Sequence, residues 1–378
     1  MEQNENIFIL EWGYSKVKLV YSVIDGEGNM IKVDVKCCDN DGSSLDCEKK
    51  INKVEEILNN LLDFFEKKYN LKIQTLYLLY RGRGCIVRTV KHKNLYEDFL
   101  EQRDKKTIKL KNLPEHELPL HCELFGVYDK FSKTSETEGI VFAIHSNERD
   151  IVQKALLQRE CFIEGFIAWS SLIKKGMNQI FLNLDEDGSI LFSSYEDKLA
   201  SYKEFDFSLN TLRDEIVNKI NLEKGQALKC IRWVISPPSI EDEEYYKDVD
   251  ADLFRSEEFG NTRNLIADEL EHFMIAVRQH LEECGIWDQG IKNLVLIGEG
   301  GSLISRYTFI REILPFSFQL LSQKYNQFFS GKKDLSDYLV LFHLLPACYS
   351  RRIELRKRIG ESQKKYSLRD WSRRILGR

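Results

Sequence analysis

One order of elements is written twice along this chain. "IFILEW" and "KVKLVYSVI" are short apolar runs bounded by turn residues, and "MIKVDVKCC" alternates apolar and polar positions, so three strands are expected. The polar "NDGSSLD" leads into a segment where Ile51, Val54, Ile57, Leu58, Leu61 and Phe65 recur at helical spacing. "TLYLLY" follows as a short buried strand, which completes β-β-β-α-β. The order restarts near Gln179, with "IFLNL" and "SILFSSYED" as a hairpin and "ASYKEFDF" as a third strand. "SLNTLRDEIVNKI" opens on a Ser suited to cap a helix, and "CIRWVIS" reads as the next strand. A long amphipathic helix, "NTRNLIADELEHFMIAVRQHLEECG", is expected to stop at Gly285. The strand "NLVLIG" then runs through a cluster of glycines into a last clear helix.

Two such units predict two similar lobes facing each other across a cleft. The first hairpin of each unit would point its turn into that cleft, "EWGYSK" from the first copy and "LDEDGS" from the second. The glycine corner from Gly298 to Gly301 joins a strand to a helix with almost no side chain. Such a corner brings bare backbone amides close to whatever lies above it, and three backbone-rich turns converging on one place suit a phosphate-bearing ligand.

Composition sets outer limits. The 378 residues are 43% hydrophobic and 11% aromatic, enough for a sizeable core and unlike a disordered chain. A net charge of −5 argues against nucleic-acid binding by the protein as a whole. The nine cysteines contain no CxxC and no Cys/His spacing for zinc. Cys85, Cys161, Cys230 and Cys348 lie among apolar neighbours, so reduced thiols in a cytoplasmic protein are expected. "MEQNENIFIL" lacks a basic start followed by an apolar core, so no signal peptide is expected, and no apolar run approaches a membrane span.

The ordered set of elements resembles the actin-like ATPase superfamily, in the bacterial branch that holds FtsA and the type IV pilus assembly protein PilM. "ILEWGYSKVKLVYSV" resembles the first phosphate loop, "LVLIGEGGSLI" the adenosine motif, and "LIADELEHFMIAVRQHL" the helix that supplies Glu and a basic residue near the nucleoside. The resemblance implies an α/β fold: two actin-like (ribonuclease H-like) lobes with duplicated β-β-β-α-β units and a small inserted α+β subdomain. By this reading residues 1–80 form the first lobe, completed by 165–176 and 332–360. Residues 81–164 are the inserted, partner-binding subdomain, 177–331 the second lobe, and 361–378 a basic tail.

The resemblance also implies a set of nucleotide contacts: Gly13, Ser15 and Lys16 in the first loop, Glu269 on the helix, and Gly298, Gly300 and Gly301 at the corner. ATP with Mg²⁺ is the implied cofactor. The pattern departs at Glu11, where the family has Asp, and at the bulky Tyr14. It departs again in the second loop, where Asn183, Leu184 and Asp185 lead to Glu186, Asp187 and Gly188. His272 stands where the family's basic residue is expected. Three carboxylates would repel a triphosphate unless Mg²⁺ lay between them. The reading is therefore ATP binding with little or no hydrolysis, and no residue is assigned as catalytic or as a metal ligand.

Other features favour plain roles. "YRGRG" at residues 80–84 reads as a connecting turn, His116, His121 and Cys122 as residues of a helix surface, and "EDEEYYKDVD" from Glu241 as an acidic loop. From Arg351 to Arg378 there are eleven Lys and Arg against three acidic residues. "YSLRDWSRRILGR" places Leu368, Trp371, Ile375 and Leu376 on one helical stripe, with Arg369, Arg373 and Arg374 beside it. A short cationic helix with Trp on its apolar face suits an anionic inner leaflet, and docking on protein is the other reading.

The expected function is a cytoplasmic scaffold on the inner face of the inner membrane. It would serve a type IV pilus or type II secretion-like assembly and bind a small bitopic protein of the PilN kind, with self-association left open. An FtsA-like division anchor, a small-molecule kinase and a pseudo-ATPase that holds its shape without nucleotide are the alternatives.

Overall fold

The computed structural model describes residues 4–13, 16–40, 47–80, 85–91, 122–130, 138–167, 178–196, 198–235, 253, 256–320, 344–346, 348–350 and 352–353. The chain divides into two compact units, unit 1 from Met1–Leu172 with Val340–Arg378, and unit 2 from Ile173–Leu339.

Unit 1 is built on β1 (Glu5–Trp12), β2 (Lys16–Ile24), β3 (Met30–Asp39), β4 (Thr75–Tyr80) and β8 (Phe162–Ile167), side by side in the order β3-β2-β1-β4-β8. The first three are antiparallel neighbours, and β4 and β8 join in parallel. β1 and β2 are buried over nearly their whole length, which is why they read as continuous apolar runs and not as alternating ones. Helix α1 (Cys47–Tyr69) covers one face, and Val54, Ile57, Leu58, Leu61 and Phe65 pack against Phe8, Leu10 and Tyr21. Ile51 begins the same stripe but is 37% exposed, because it lies at the helix start.

The far end of α1 is fixed to β3. Lys68 Nζ and Tyr69 Oη both donate to the Asp34 carboxylate at 2.5 Å. Burial opposes the charge on Asp34, yet these donors outweigh it and hold the carboxyl below its ordinary range.

Three further strands belong to unit 1: β5 (Cys85–Lys91), β6 (Cys122–Lys130) and β7 (Glu138–His145). They pair antiparallel with β7 in the middle. Helix α2 (Ser146–Gln158) follows β7 and leads into β8. Residues 344–346, 348–350 and 352–353 are helical, and Leu344, Leu345, Cys348 and Arg352 are buried. Tyr349 Oη donates to the Gly26 carbonyl at 3.1 Å.

Unit 2 repeats the arrangement with β9 (Gln179–Leu184), β10 (Ser189–Tyr195), β11 (Lys198–Phe205), β12 (Asn293–Ile297) and β13 (Ser317–Leu320), in the order β11-β10-β9-β12-β13. Strand directions match unit 1: β9, β10 and β11 are antiparallel, and β12 and β13 add in parallel. Among the described residues its helices are α3 (Leu209–Ile220), α4 (Lys224–Ile235), α5 (Glu257–Glu283), α6 (Glu299–Arg306) and α7 (Ile310–Ile313), with a 3-10 turn at Trp287–Gln289. The duplicated α/β fold expected from the sequence is therefore present.

One expected element is different. "CIRWVIS" is not a strand; its residues to Ile235 form the second half of α4. Ala227, Cys230, Ile231 and Ile235 are buried on one face at helical spacing. The counterpart of β4 is β12, the strand that runs into the glycines. Cys161, Cys230 and Cys348 are buried, and burial pushes the Cys161 and Cys230 thiols up to about 12 and about 11.

Candidate functional site

The turn between β9 and β10 is tight, with the Asp185 N–H donating to the Gly188 carbonyl at 3.0 Å. Its outward carbonyls cap a helix. Leu209 N–H donates to the Asp185 carbonyl and Asn210 N–H to the Glu186 carbonyl, each at 3.0 Å. Ser208, the expected N-cap of α3, accepts from Thr211 N–H at 3.0 Å, and its own N–H donates to Thr211 Oγ1 at 2.8 Å. The four amides that a helix start leaves without intrahelical partners are thus all satisfied by the chain. Asp187 is exposed and accepts from Asn210 Nδ2 at 3.3 Å.

Asp185 is the buried carboxylate of the three, 7% exposed. Asn183 Nδ2 donates to its Oδ2 at 2.9 Å. That bond fixes the amide orientation, since the flipped form would set the amide oxygen against a carboxylate. Asn183 Oδ1 is therefore turned the other way; it is fully buried and has no hydrogen-bond partner among the described residues.

Oδ1 faces the glycine corner. Gly298 has φ +78°, in the left-handed region, and opens α6 without a side-chain cap. A Cβ on Gly298 would lie 2.5 Å from the Leu184 carbonyl oxygen, 2.7 Å from Asp185 Oδ1 and 2.9 Å from Asn183 Oδ1. A Cβ on Gly300 would run into the Leu184 side chain, and one on Gly301 would press on Leu296. The sharp corner has a structural cause: α6 lies directly on the ends of β9 and β12, at a separation that leaves no room for a Cβ at Gly298 or Gly300.

Glu269 lies on α5, where its Oε1 accepts from Lys219 Nζ of α3 at 2.9 Å. His272 is exposed three residues on. In unit 1, Gly13 N–H donates to the Lys16 carbonyl at 3.0 Å, and a Cβ there would meet that same oxygen. Lys16 begins β2, whereas Ser15 and Tyr14 lie outside the described residues. Glu11 and Lys18 are both buried and face each other in register across β1 and β2, with Nζ 3.9 Å from Oε2. The sequence signal for Lys18 is a lysine inside the apolar "KVKLVYSV".

In sequence, no family model and no curated protein matches this chain. In structure it is similar to the PilM–PilN type IV pilus biogenesis complex, with a TM-score of 0.61, 13% identity, and coverage of 90% of this chain and 97% of that one. The fold is the actin-like ATPase fold. MreB5 of Spiroplasma citri bound to ADP matches with a TM-score of 0.49 at 10% identity, covering 93% and 98% of the two chains. The ethanolamine utilization protein EutJ from Carboxydothermus hydrogenoformans matches with a TM-score of 0.48 at 9% identity and 84% coverage of each.

Within this actin-like fold, β12 with α6 stands where the sequence placed the adenosine motif, and the hairpin turns close β1–β2 and β9–β10 as expected. The unit 2 residues do not fit a polyphosphate. Phosphate oxygens are acceptors and need donors or cations; among the described residues the side chains bordering Gly298, Asn183 and Asp185, turn acceptors toward it, and the α3 amides are already used. Among the described residues no group of three His, Cys, Asp or Glu side chains is placed to hold a metal ion.

Residues 81–84, His116, His121, residues 241–250, and the tail residues Leu368, Trp371, Arg373, Arg374 and Ile375 lie outside the described residues. Among the described residues no helix is long and apolar enough to cross a membrane.

Proposed function

We propose that this protein is a docking scaffold of an inner-membrane assembly machine of the type IV pilus or type II secretion kind. The likeness to the PilM–PilN complex over 90% of this chain supports the reading. The partner is a small bitopic membrane protein whose cytoplasmic segment binds the inserted piece of unit 1 formed by β5, β6, β7 and α2. The end strand β5 and the adjoining helix would give an extended peptide backbone partners and side-chain pockets together. The basic tail supplies a second contact, with Leu368, Trp371 and Ile375 in the interface and Arg373 and Arg374 at anionic headgroups.

Co-purification from membranes of the organism's own cells tests the scaffold role. A small bitopic protein that is retained by the whole chain, and lost when residues 85–158 are replaced by a short linker, is the expected result. Co-sedimentation with a tubulin-like filament and no bitopic partner would move the function to a division anchor. Metabolite-dependent ADP formation above about 1 s⁻¹, at the low end for ordinary enzymes, would make it a kinase.

A further inference from the structure

We infer that the space at the glycine corner of unit 2 is filled by the chain's own groups, and that this protein holds the actin-like fold without a bound nucleotide. The corner could be read as a cradle for a ligand. Its surroundings show a different use, because the space a Cβ would take at Gly298 is bounded by Leu184 O, Asp185 Oδ1 and Asn183 Oδ1. All three atoms come from the end of β9 and the turn that follows it. The glycines at 300 and 301 are likewise accounted for by Leu184 and Leu296 beneath α6.

The polarity of these groups carries the inference further. Asn183 Oδ1 is a buried acceptor without a partner among the described residues, held toward the corner by the bond its own Nδ2 makes to Asp185. A donor would satisfy it, whereas a phosphate with no cation between would set acceptor against acceptor beside a buried carboxylate. The neighbouring helix start cannot compensate, since Ser208, Leu209, Asn210 and Thr211 have all committed their amides. Glu269, the residue expected near a nucleoside, is engaged by Lys219. The Asn183–Asp185 pair is thus part of the packing of β9 against α6.

Two measurements on the full chain test this. Titration calorimetry and thermal melts are run with millimolar Mg²⁺-ATP and Mg²⁺-ADP. No saturable heat and a shift below about 1 °C are expected, where a ligand at a hundred times its Kd would raise the melt by several degrees. The melt of Asp185→Ala is compared with that of the unaltered protein, both without nucleotide. A lower melting temperature, or failure to fold, is expected if the pair is structural. A melting temperature equal to or above that of the unaltered protein is what loss of a ligand-binding carboxylate gives, and it would overturn the inference. Saturable nucleotide binding by the unaltered protein would overturn it independently of how the variant behaves. Neither readout depends on the membrane partner, so failure here leaves the scaffold reading in place.

Discussion

Replacing Arg352 by Met should destabilise unit 1 severely, and adding Glu164→Gln should restore much of the loss. Arg352 reaches from the helical segment near the C-terminus into the first sheet and is 8% exposed. Its Nε donates to both Glu164 carboxylate oxygens, at 2.7 and 3.1 Å, and Nη2 makes a further short bond to Glu164. Nη1 donates to the Asn6 carbonyl at 2.7 Å, and Glu5 lies 3.6 Å away. Tyr77 Oη adds a donor to Glu164 at 2.8 Å. The clasp ties β1, β4 and β8 to the returning helix.

Removing the guanidinium leaves a buried carboxylate with Tyr77 and Thr75 as its remaining neighbours, and breaking one side of a buried ion pair typically costs about 3–5 kcal/mol. For a unit near 200 residues, about 2–4 °C per kcal/mol translates this into a fall of roughly 6–20 °C. Because the double variant removes the stranded charge, its loss should be well under the sum of the two single losses. Urea unfolding followed by circular dichroism, with the four proteins of the cycle, gives the coupling. A loss under about 1 kcal/mol for Arg352→Met, or strict additivity in the cycle, would refute the reasoning, since both require that Glu164 is comfortable without its partner.

Acid should weaken the same unit. Burial opposes ionisation of Glu164, but Arg352 outweighs it and holds the carboxyl below its ordinary value, so its contribution is complete above about pH 4.3 and fades as the pH falls further; Arg352→Met should flatten that part of a stability–pH curve. Gly300→Ala, which drives a methyl into the buried Leu184 side chain, should cost about 1–3 kcal/mol in a thermal melt without nucleotide, and Leu184→Ala should be less than additive with it. Ser208→Ala removes the α3 cap and should cost about 1 kcal/mol by urea unfolding. Deleting Ser367–Arg378 should release the protein from anionic vesicles in a sedimentation assay with no change in melting temperature, and Trp371→Glu should do nearly as much; unchanged vesicle binding with a lower melt would place that segment on protein.

Much of the fold is legible in the sequence because periodicity reports burial directly. "KVKLVYSVI" and "TLYLLY" are β2 and β4 residue for residue, since a central strand needs apolar side chains on both faces. "CIRWVIS" misleads for the same reason: a β-branched and aromatic run beside a proline looks like a strand until the period is extended back to Ala227. Arg352 hides in a basic run that reads as surface charge. Its spacing from Leu344, Leu345 and Cys348 nevertheless puts it on their buried stripe, and Glu164 stands out inside the apolar "FIEGF". What spacing does not reveal is which buried charges pair. Glu164 and Arg352 are 188 positions apart, and only the assembled sheet brings them together.

The glycine corner shows where sequence reading stops for a physical reason. A glycine is needed wherever backbone must approach closely, and the approaching group can be a ligand or another part of the chain. At Gly298, Gly300 and Gly301 it is the chain: Asn183, Leu184 and Asp185 from β9 and its turn, and Leu296 from β12. The two cases look alike as a string of residues because the glycine carries no record of its neighbour's polarity. That record lies in residues about 115 positions earlier, where Asn183 and Asp185 bring side-chain acceptors to the corner. Acceptors around a glycine corner suit packing or a donor, whereas free amides and cations suit a phosphate. Among the described residues of unit 2 the side chains at the corner are of the first kind, and helix α6 resting on the sheet accounts for the glycines by packing alone.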